Sequence, residues 1–184
     1  MNRVKLEGFA YLAGFAACIP AANWLIGNAG TVCVPNGPCL IPVAPGLTAP
    51  SGVLMIGLAL VLRDLVQRRL GKLWTLAAIL AGAALSGLLA PPALVTASAA
   101  AFLLSEVADF AVYTPLQRRG LVMAVLASSL VGLVIDSAVF LALAFGSLEF
   151  LAGQVVGKAL MVALALPFVA WIRQSDRRNG IQPA

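Results

Sequence analysis

The sequence predicts an all-α, polytopic membrane protein that forms a single domain over residues 1–184. Of its 184 residues, 61% are hydrophobic and only 10% are charged, and the mean hydropathy is +1.00. A soluble domain of this size cannot cover so much apolar surface with so few charges. The apolar residues fall into six runs, each near the roughly 20 residues that a transmembrane helix needs. We therefore expect six transmembrane helices.

The six runs set the order of the predicted helices, and no soluble domain, long linker or internal repeat interrupts them. Their approximate bounds are Leu6–Ile26, Ser51–Gln67, Leu73–Ala90, Ala93–Thr114, Leu121–Phe145 and Phe150–Ile172. The long connection after the first run is rich in Gly and Pro, which predicts ordered but non-helical backbone at the outer face.

The basic residues predict the orientation of the helices. Ten of them fall at one set of predicted helix ends, namely Arg3, Lys5, Arg68, Arg69, Lys72, Arg118, Arg119, Arg173, Arg177 and Arg178. The connections at the other ends carry no Lys or Arg. This positive-inside pattern places both the N- and the C-terminus in the cytoplasm. The net charge of +5 is therefore a topology signal. The sequence predicts contact with membrane lipid and no nucleic-acid partner.

Cysteine and histidine usage excludes several kinds of site. Cys33 and Cys39 lie in the outer connection, where a short disulfide or two unpaired thiols are both consistent with the sequence. Cys18, inside the first run, is expected to be a core residue. The chain has no His, which removes the commonest general base and metal ligand. Because no Ser or Cys stands plainly beside a base either, the sequence predicts no enzyme, no cofactor and no metal.

One acid and one base mark the last two predicted helices. Asp136 and Lys158 each lie near the middle of an apolar run, and a short turn at Gly146 joins the two runs. Counted back from the turn, both residues lie roughly 12–15 Å below the same membrane face, at about 1.5 Å per residue. A lone charge in hydrocarbon usually points into a bundle or a cavity. We therefore expect Asp136 and Lys158 to face each other inside the bundle.

Charged residues also occur inside the second and fourth runs. Arg63 is adjacent to Asp64, and either the two form an interfacial pair with Arg63 snorkelling or they line a cavity. Glu106 and Asp109 are three residues apart and share one helix face. The predicted bundle thus contains two cations against four acids. The excess acid must be protonated, hydrated or matched by a ligand.

Two amides complete the candidate site. Gln154 shares a helix face with Lys158, and Asn23 lies near the outer end of the first helix. Gly153 and Gly157 nearby would let a neighbouring helix or a flat ligand approach. Carboxylates, an amide and an amine together suit a planar heterocycle with an amide edge and an amino group. The predicted function class is solute passage or capture.

The sequence resembles the queuosine-precursor transporter family, also called the vitamin-uptake-transporter family. The resemblance covers nearly the whole chain. Five segments and Asn23 carry it: Ala49–Gly52, Leu62–Leu65 with Gly71, Glu106–Tyr113, Ser128–Ser129 with Asp136–Ser137, and Gly153–Gln154 with Lys158. It implies a helical fold related to the substrate-binding subunits of energy-coupling-factor transporters and a location in the bacterial inner membrane.

The resemblance also implies the substrate and the residues that bind it. The expected cargo is a 7-deazaguanine base, 7-cyano- or 7-aminomethyl-7-deazaguanine. The expected binding residues are Asn23, Arg63, Asp64, Glu106, Asp109, Asp136, Gln154 and Lys158. The resemblance does not assign roles within that set. We expect Glu106 or Asp109 to hold the guanine-like edge, Gln154 to reach ring acceptors, and Asp136 with Lys158 to form an outer gate or anchor. The alternative function is a substrate-binding subunit that needs an ATPase partner, for which an alanine face on the first helix would be the docking surface. A homodimer is left open.

Overall fold

The structure is a computed structural model that describes residues 3–35 and 37–182. Its described part contains six long helices, whose bounds are α1 Arg3–Asn28, α2 Val53–Leu70, α3 Lys72–Leu89, α4 Val95–Leu116, α5 Leu121–Phe145 and α6 Leu151–Arg178. A short 3-10 turn, Pro92–Leu94, precedes α4. The breaks follow the sequence chemistry: Gly71 and Gly146 adopt positive φ angles of 86° and 63° at the ends of α2 and α5. All six predicted helices are therefore present.

Five of the six helices are long and apolar enough to cross a membrane, which makes the chain a multi-pass membrane protein. The exception is α2, which has the same length as α3 but contains Arg63, Asp64, Arg68 and Arg69. A sixth membrane span therefore stays a prediction.

Helix α2 is the centre of the bundle because it contacts each of the other five long helices. Twelve of its eighteen residues are buried, including all four of its charged side chains. Its flanks are apolar: Leu60 and Leu65 belong to a core cluster with Tyr113 and Leu133 of α4 and α5. A charged helix is tolerated here because protein, rather than lipid, surrounds its polar face.

The outer connection contains a small sheet that the all-α prediction missed. Strands β1 (Val32–Cys33), β2 (Cys39–Ala44) and β3 (Leu47–Pro50) form an antiparallel meander in the order β1-β2-β3. Proline disfavours strands, but the sheet accommodates Pro42 at an irregularity in the β2–β3 register. Cys33 and Cys39 pair across β1 and β2 and form a disulfide, one of the two alternatives the sequence left open. Residue 36, between them, lies outside the described residues.

Ion pairs join three helices at the end opposite the sheet. Arg68 and Arg69 of α2 both contact Asp176 of α6, at 2.6 and 2.7 Å, and Arg69 also lies 3.1 Å from Glu7 of α1. The start of α1 and the end of α6 therefore lie on the same side of the bundle, as an even number of crossings requires. Which membrane face this basic end occupies stays a prediction.

Candidate functional site

A cavity lies between the helices near the sheet end of the bundle. It holds about 90 Å³ of space that water can occupy, enough for several water molecules. Apolar side chains form most of its wall, among them Ile56, Phe102 and Phe140, and Pro50 closes it from the end of β3. Six polar side chains from five helices also line it: Asn23, Ser86, Ser98, Asp136, Gln154 and Lys158.

Lys158 is held by three hydrogen bonds at the wall of this cavity. Its Nζ donates to Asp136 Oδ2 at 2.6 Å, to Ser137 Oγ at 2.7 Å and to Gln154 Oε1 at 2.9 Å. An ammonium group has three donors, so all of them are engaged within the protein. The expected pairing of Asp136 with Lys158 is confirmed, and the side chain of Lys158 is 2% exposed.

The hydrogen bonds of the two amides define which of their atoms are available to a ligand. Because an ammonium group cannot accept, Gln154 must turn its oxygen to Lys158, which directs its NH₂ group elsewhere. Asn23 donates its Nδ2 to the Ile19 carbonyl oxygen at 3.0 Å, which leaves its oxygen as an acceptor. Asp136 Oδ1 has only a long contact, 3.5 Å from Ser105 Oγ. Asp136 and Asn23 thus each offer an oxygen acceptor and Gln154 offers an amide donor, beside the hydroxyls of Ser86 and Ser98, which also line the cavity.

Gly153 and Gly157 allow close packing by other parts of the protein. A Cβ at Gly153 would collide with the Thr48 carbonyl oxygen of β3, and one at Gly157 would lie 2.6 Å from Val53 Cγ2. Of the two expected reasons for these glycines, the structure supports the approach of a neighbouring element. The sheet is thereby seated directly against the helix that carries Gln154 and Lys158.

Arg63 and three carboxylates form a second, completely enclosed cluster, which we call the Arg63 cluster. Arg63 Nη2 lies 2.8 Å from Asp64 Oδ1 and also contacts Asp109 Oδ1, while Nε lies 3.2 Å from Glu106 Oε2. Nη1 donates to Gln67 Oε1 at 3.2 Å. Both the Arg63 and the Asp64 side chain are 0% exposed. The interfacial pair with a snorkelling Arg63 is therefore wrong, because the residue lies in the core.

The eight residues predicted to bind substrate are thus divided between two places. The structure brings four to the cavity, namely Asn23, Asp136, Gln154 and Lys158, and four to the Arg63 cluster, namely Arg63, Asp64, Glu106 and Asp109. No residue of the Arg63 cluster lines the cavity. Their role in binding stays a prediction.

The two groups lie close together along α4 and α5. Ser105, whose hydroxyl is 3.5 Å from Asp136 Oδ1, directly precedes Glu106. On α5, a Cβ at Gly132 would lie 3.2 Å from Asp109 Oδ2, and Asp136 follows four residues later, about 6 Å along the helix. A change in the charge of one group therefore acts on the other over a short distance.

Several partners in these clusters were not identified from the sequence. Ser137 and Gln67 each bind a central cation, and Ser128 donates to Asp64 Oδ2 at 2.8 Å. The sequence could have indicated the contact between Gln67 and Arg63, because Gln67 follows Arg63 by four residues and so shares its helix face. The partners of Ser105 and Ser128 lie on other helices, so only the packing of the helices shows which residues they contact.

Comparison with known proteins supports a transport role. The family model described as "Putative vitamin uptake transporter" matches residues 83–172, just under half of the chain. This range includes Glu106, Asp109, Asp136, Gln154 and Lys158 but not Asn23 or the α2 charges. Neither the comparison with curated proteins nor that with solved structures gives a match. Over the matched range the chain is similar to a vitamin uptake transporter.

Proposed function

We propose that this protein carries an uncharged 7-deazaguanine, with 7-cyano-7-deazaguanine as the preferred cargo, across the membrane through the cavity between its helices. The observation that carries the proposal is the donor and acceptor pattern of the cavity wall. One carboxylate oxygen and one amide oxygen accept, and one amide group donates. A guanine-type ring has a matching edge, with adjacent N–H donors beside a carbonyl acceptor.

In this arrangement Asp136 receives the donor edge of the base. Carboxylates accept paired N–H donors well, and Asp136 is the carboxylate that lines the cavity. Glu106 and Asp109, which we expected in this role from the sequence, bind Arg63 outside the cavity lining. The amide of Gln154 would donate to the carbonyl oxygen of the base, and the rings of Phe102 and Phe140 would supply apolar walls.

The charge of the cavity favours the nitrile over the amine. Asp136 and Lys158, 2.6 Å apart, balance each other, so the wall has no net charge to offer a cationic ligand. The aminomethyl base carries an ammonium group whose desolvation would need such a partner. The cyano base is uncharged and needs none. We therefore expect the cyano base to bind more tightly.

Binding to the purified protein in detergent tests the proposal directly. We expect isothermal titration to detect 7-cyano-7-deazaguanine, with weaker binding of the aminomethyl base and none of riboflavin. The variant Asp136→Asn should lose about tenfold or more in affinity, since a hydrogen bond to a charged group contributes about 1.5–3 kcal/mol.

The matched control for Asp136→Asn is Glu149→Gln, which makes the same chemical change at an exposed position in the α5–α6 connection. This control should bind as the wild type does. Tight binding of riboflavin with no binding of deazaguanines would contradict the proposed substrate. Equal affinity of Asp136→Asn and wild type would contradict the role of Asp136.

A second candidate, a substrate-binding subunit of a larger transporter, is favoured by the surface of α1. Ala13 and Ala17, one turn apart, are both exposed on the outside of the bundle, and such small residues permit close contact with another helix. Affinity purification of the tagged protein from its native membrane distinguishes the two. An ATPase module that co-purifies in stoichiometric amount would support the subunit, and transport by the protein alone in liposomes would support the carrier.

A further inference from the structure

The charge of the Arg63 cluster does not balance. One guanidinium faces three carboxyl groups, from Asp64, Glu106 and Asp109, and these side chains are between 0% and 3% exposed. With every carboxyl ionised the cluster would carry a charge of −2. An unpaired ion away from water costs several kcal/mol, so the cluster requires two more positive charges.

Other cations in the described part of the bundle are not available to supply them. Those on the embedded helix faces are engaged with acids of their own: Lys158 with Asp136, Arg68 with Asp176, and Arg69 with Asp176 and Glu7. Helix α3 has no charged residue between Leu73 and Leu89. From α5, the groups that face the cluster are Ser128, bonded to Asp64, and Gly132.

The hydrogen-bonding pattern also leaves acceptors without donors. Asp64 Oδ1 and Asp109 Oδ1 both lie against the same nitrogen, Arg63 Nη2. Asp109 Oδ2 is completely buried and meets no donor within the described residues. The Tyr113 hydroxyl is likewise buried and unpartnered there, while the Tyr113 ring centre lies 5.7 Å from the Arg63 guanidinium carbon. Bound protons would turn carboxylate acceptors into donors and remove the surplus charge together.

We propose that the Arg63 cluster is a proton-binding site and that its loading and release drive uptake through the neighbouring cavity. Glu106 is the exchanging group: it has one contact with Arg63, at 3.2 Å, and its side chain is 3% exposed, whereas the Asp64 and Asp109 side chains are 0% exposed. A proton adds to a Glu106 carboxylate oxygen from water on one side and returns to water on the other. Ser105, which precedes Glu106 in α4 and whose hydroxyl lies 3.5 Å from Asp136 Oδ1, couples this step to the occupied cavity.

This inference rests on the proposed function, because the coupled cargo is the deazaguanine base. A neutral base that enters with protons moves net positive charge inward, so both a pH difference and an inside-negative potential should drive it. For each coupled proton, one unit of pH difference supports about tenfold accumulation, since one unit corresponds to about 1.4 kcal/mol and each 1.4 kcal/mol is tenfold.

Two assays on the purified full-length protein in liposomes separate the inference from its premise. The first measures exchange of labelled 7-cyano-7-deazaguanine against unlabelled base inside, with equal pH on both sides. The second measures uptake into empty liposomes with the outside one pH unit more acidic. We expect wild-type uptake in the second assay to exceed its own value without a pH difference by about tenfold.

The readout for variants is the ratio of gradient-driven uptake to exchange, so that slower exchange alone does not change it. In Glu106→Gln we expect the ratio to lose its dependence on pH, and Asp64→Asn provides a second variant should the first fail to fold. The matched control is Glu7→Gln, a carboxyl at the basic end and outside the cluster, which should keep the wild-type ratio.

The outcomes are distinct. Exchange without any stimulation by acid outside would overturn proton coupling and leave the proposed cargo standing. Stimulation that persists in both Glu106→Gln and Asp64→Asn would overturn the assignment to the Arg63 cluster. Absence of exchange itself would overturn the proposed function, and this inference with it.

Discussion

Lys158 shows how one buried side chain defines the chemistry of the cavity. Its three donors are all used within the protein, on Asp136, Ser137 and Gln154. The lysine therefore has no free donor left for a ligand, although it lines the cavity. It fixes the orientation of the Gln154 amide and one oxygen of Asp136, and both of those residues line the cavity. We expect ligand specificity to depend on the atoms of Asp136 and Gln154 that the lysine does not bind.

Removal of Lys158 should therefore be costly for folding. The variant Lys158→Met leaves Asp136 buried without its partner, and breaking one side of a buried ion pair costs about 3–5 kcal/mol. Adding Asp136→Leu removes the second charge and should recover most of the stability, although binding would still be lost. Thermal unfolding in detergent measures both, with the exposed Arg178→Ala as control. No gain in stability in the double variant would show that the lysine acts through packing alone.

At the scale of elements, the contact between β3 and α6 connects the outer sheet to the cavity. Gly153 packs against the Thr48 carbonyl. Pro50 and Gly52, which follow Thr48 in the chain, line the cavity. The Ser51 hydroxyl donates to the Leu25 carbonyl oxygen at 2.7 Å and so fastens the same segment to α1. The sheet is thus a structural part of the site, even though none of the predicted binding residues lies in it.

The substitution Gly153→Ala tests this connection. Its Cβ has no space beside a backbone carbonyl, so the sheet or α6 must shift, at a cost of about 1–3 kcal/mol for an overpacked contact. We expect lower thermal stability together with weaker binding of the deazaguanine. Gly27→Ala is the matched control, since it is also a helical glycine but its Cβ would meet nothing within 4 Å. Equal behaviour of the two variants would exclude a role for the β3–α6 contact.

At the scale of the whole molecule, the sequence predicted the bundle well and the site only in part. Hydropathy located all six helices, and the equal depth of Asp136 and Lys158 predicted that they meet. The division of the eight residues was not predictable, because it depends on how α2 is rotated between its neighbours. Arg63 and Lys158 both interrupt apolar runs, but only Lys158 lies on a face that borders the cavity. The three strands of the outer connection were not predicted, because proline disfavours strands.

The orientation of the molecule can be measured on intact cells. We expect both termini in the cytoplasm because the basic residues collect at that end. A reporter fused to the N-terminus and the same reporter fused to the C-terminus should give the same cytoplasmic signal. Ser147→Cys, placed in a Cys18→Ala background, should react with a thiol reagent that cannot cross the membrane. Opposite signals from the two fusions would mean that one of the six helices does not span.

Helix α2 touches all five of its long neighbours, and this has a consequence for how a passage can open. A movement that exposes the cavity to the other side of the bilayer must separate at least one neighbour from α2. Displacing α2 would disturb its contacts with five helices at once, whereas displacing one neighbour disturbs only one of those five contacts. We therefore expect the peripheral helices to move in a transport cycle and α2, with its enclosed arginine, to stay in place.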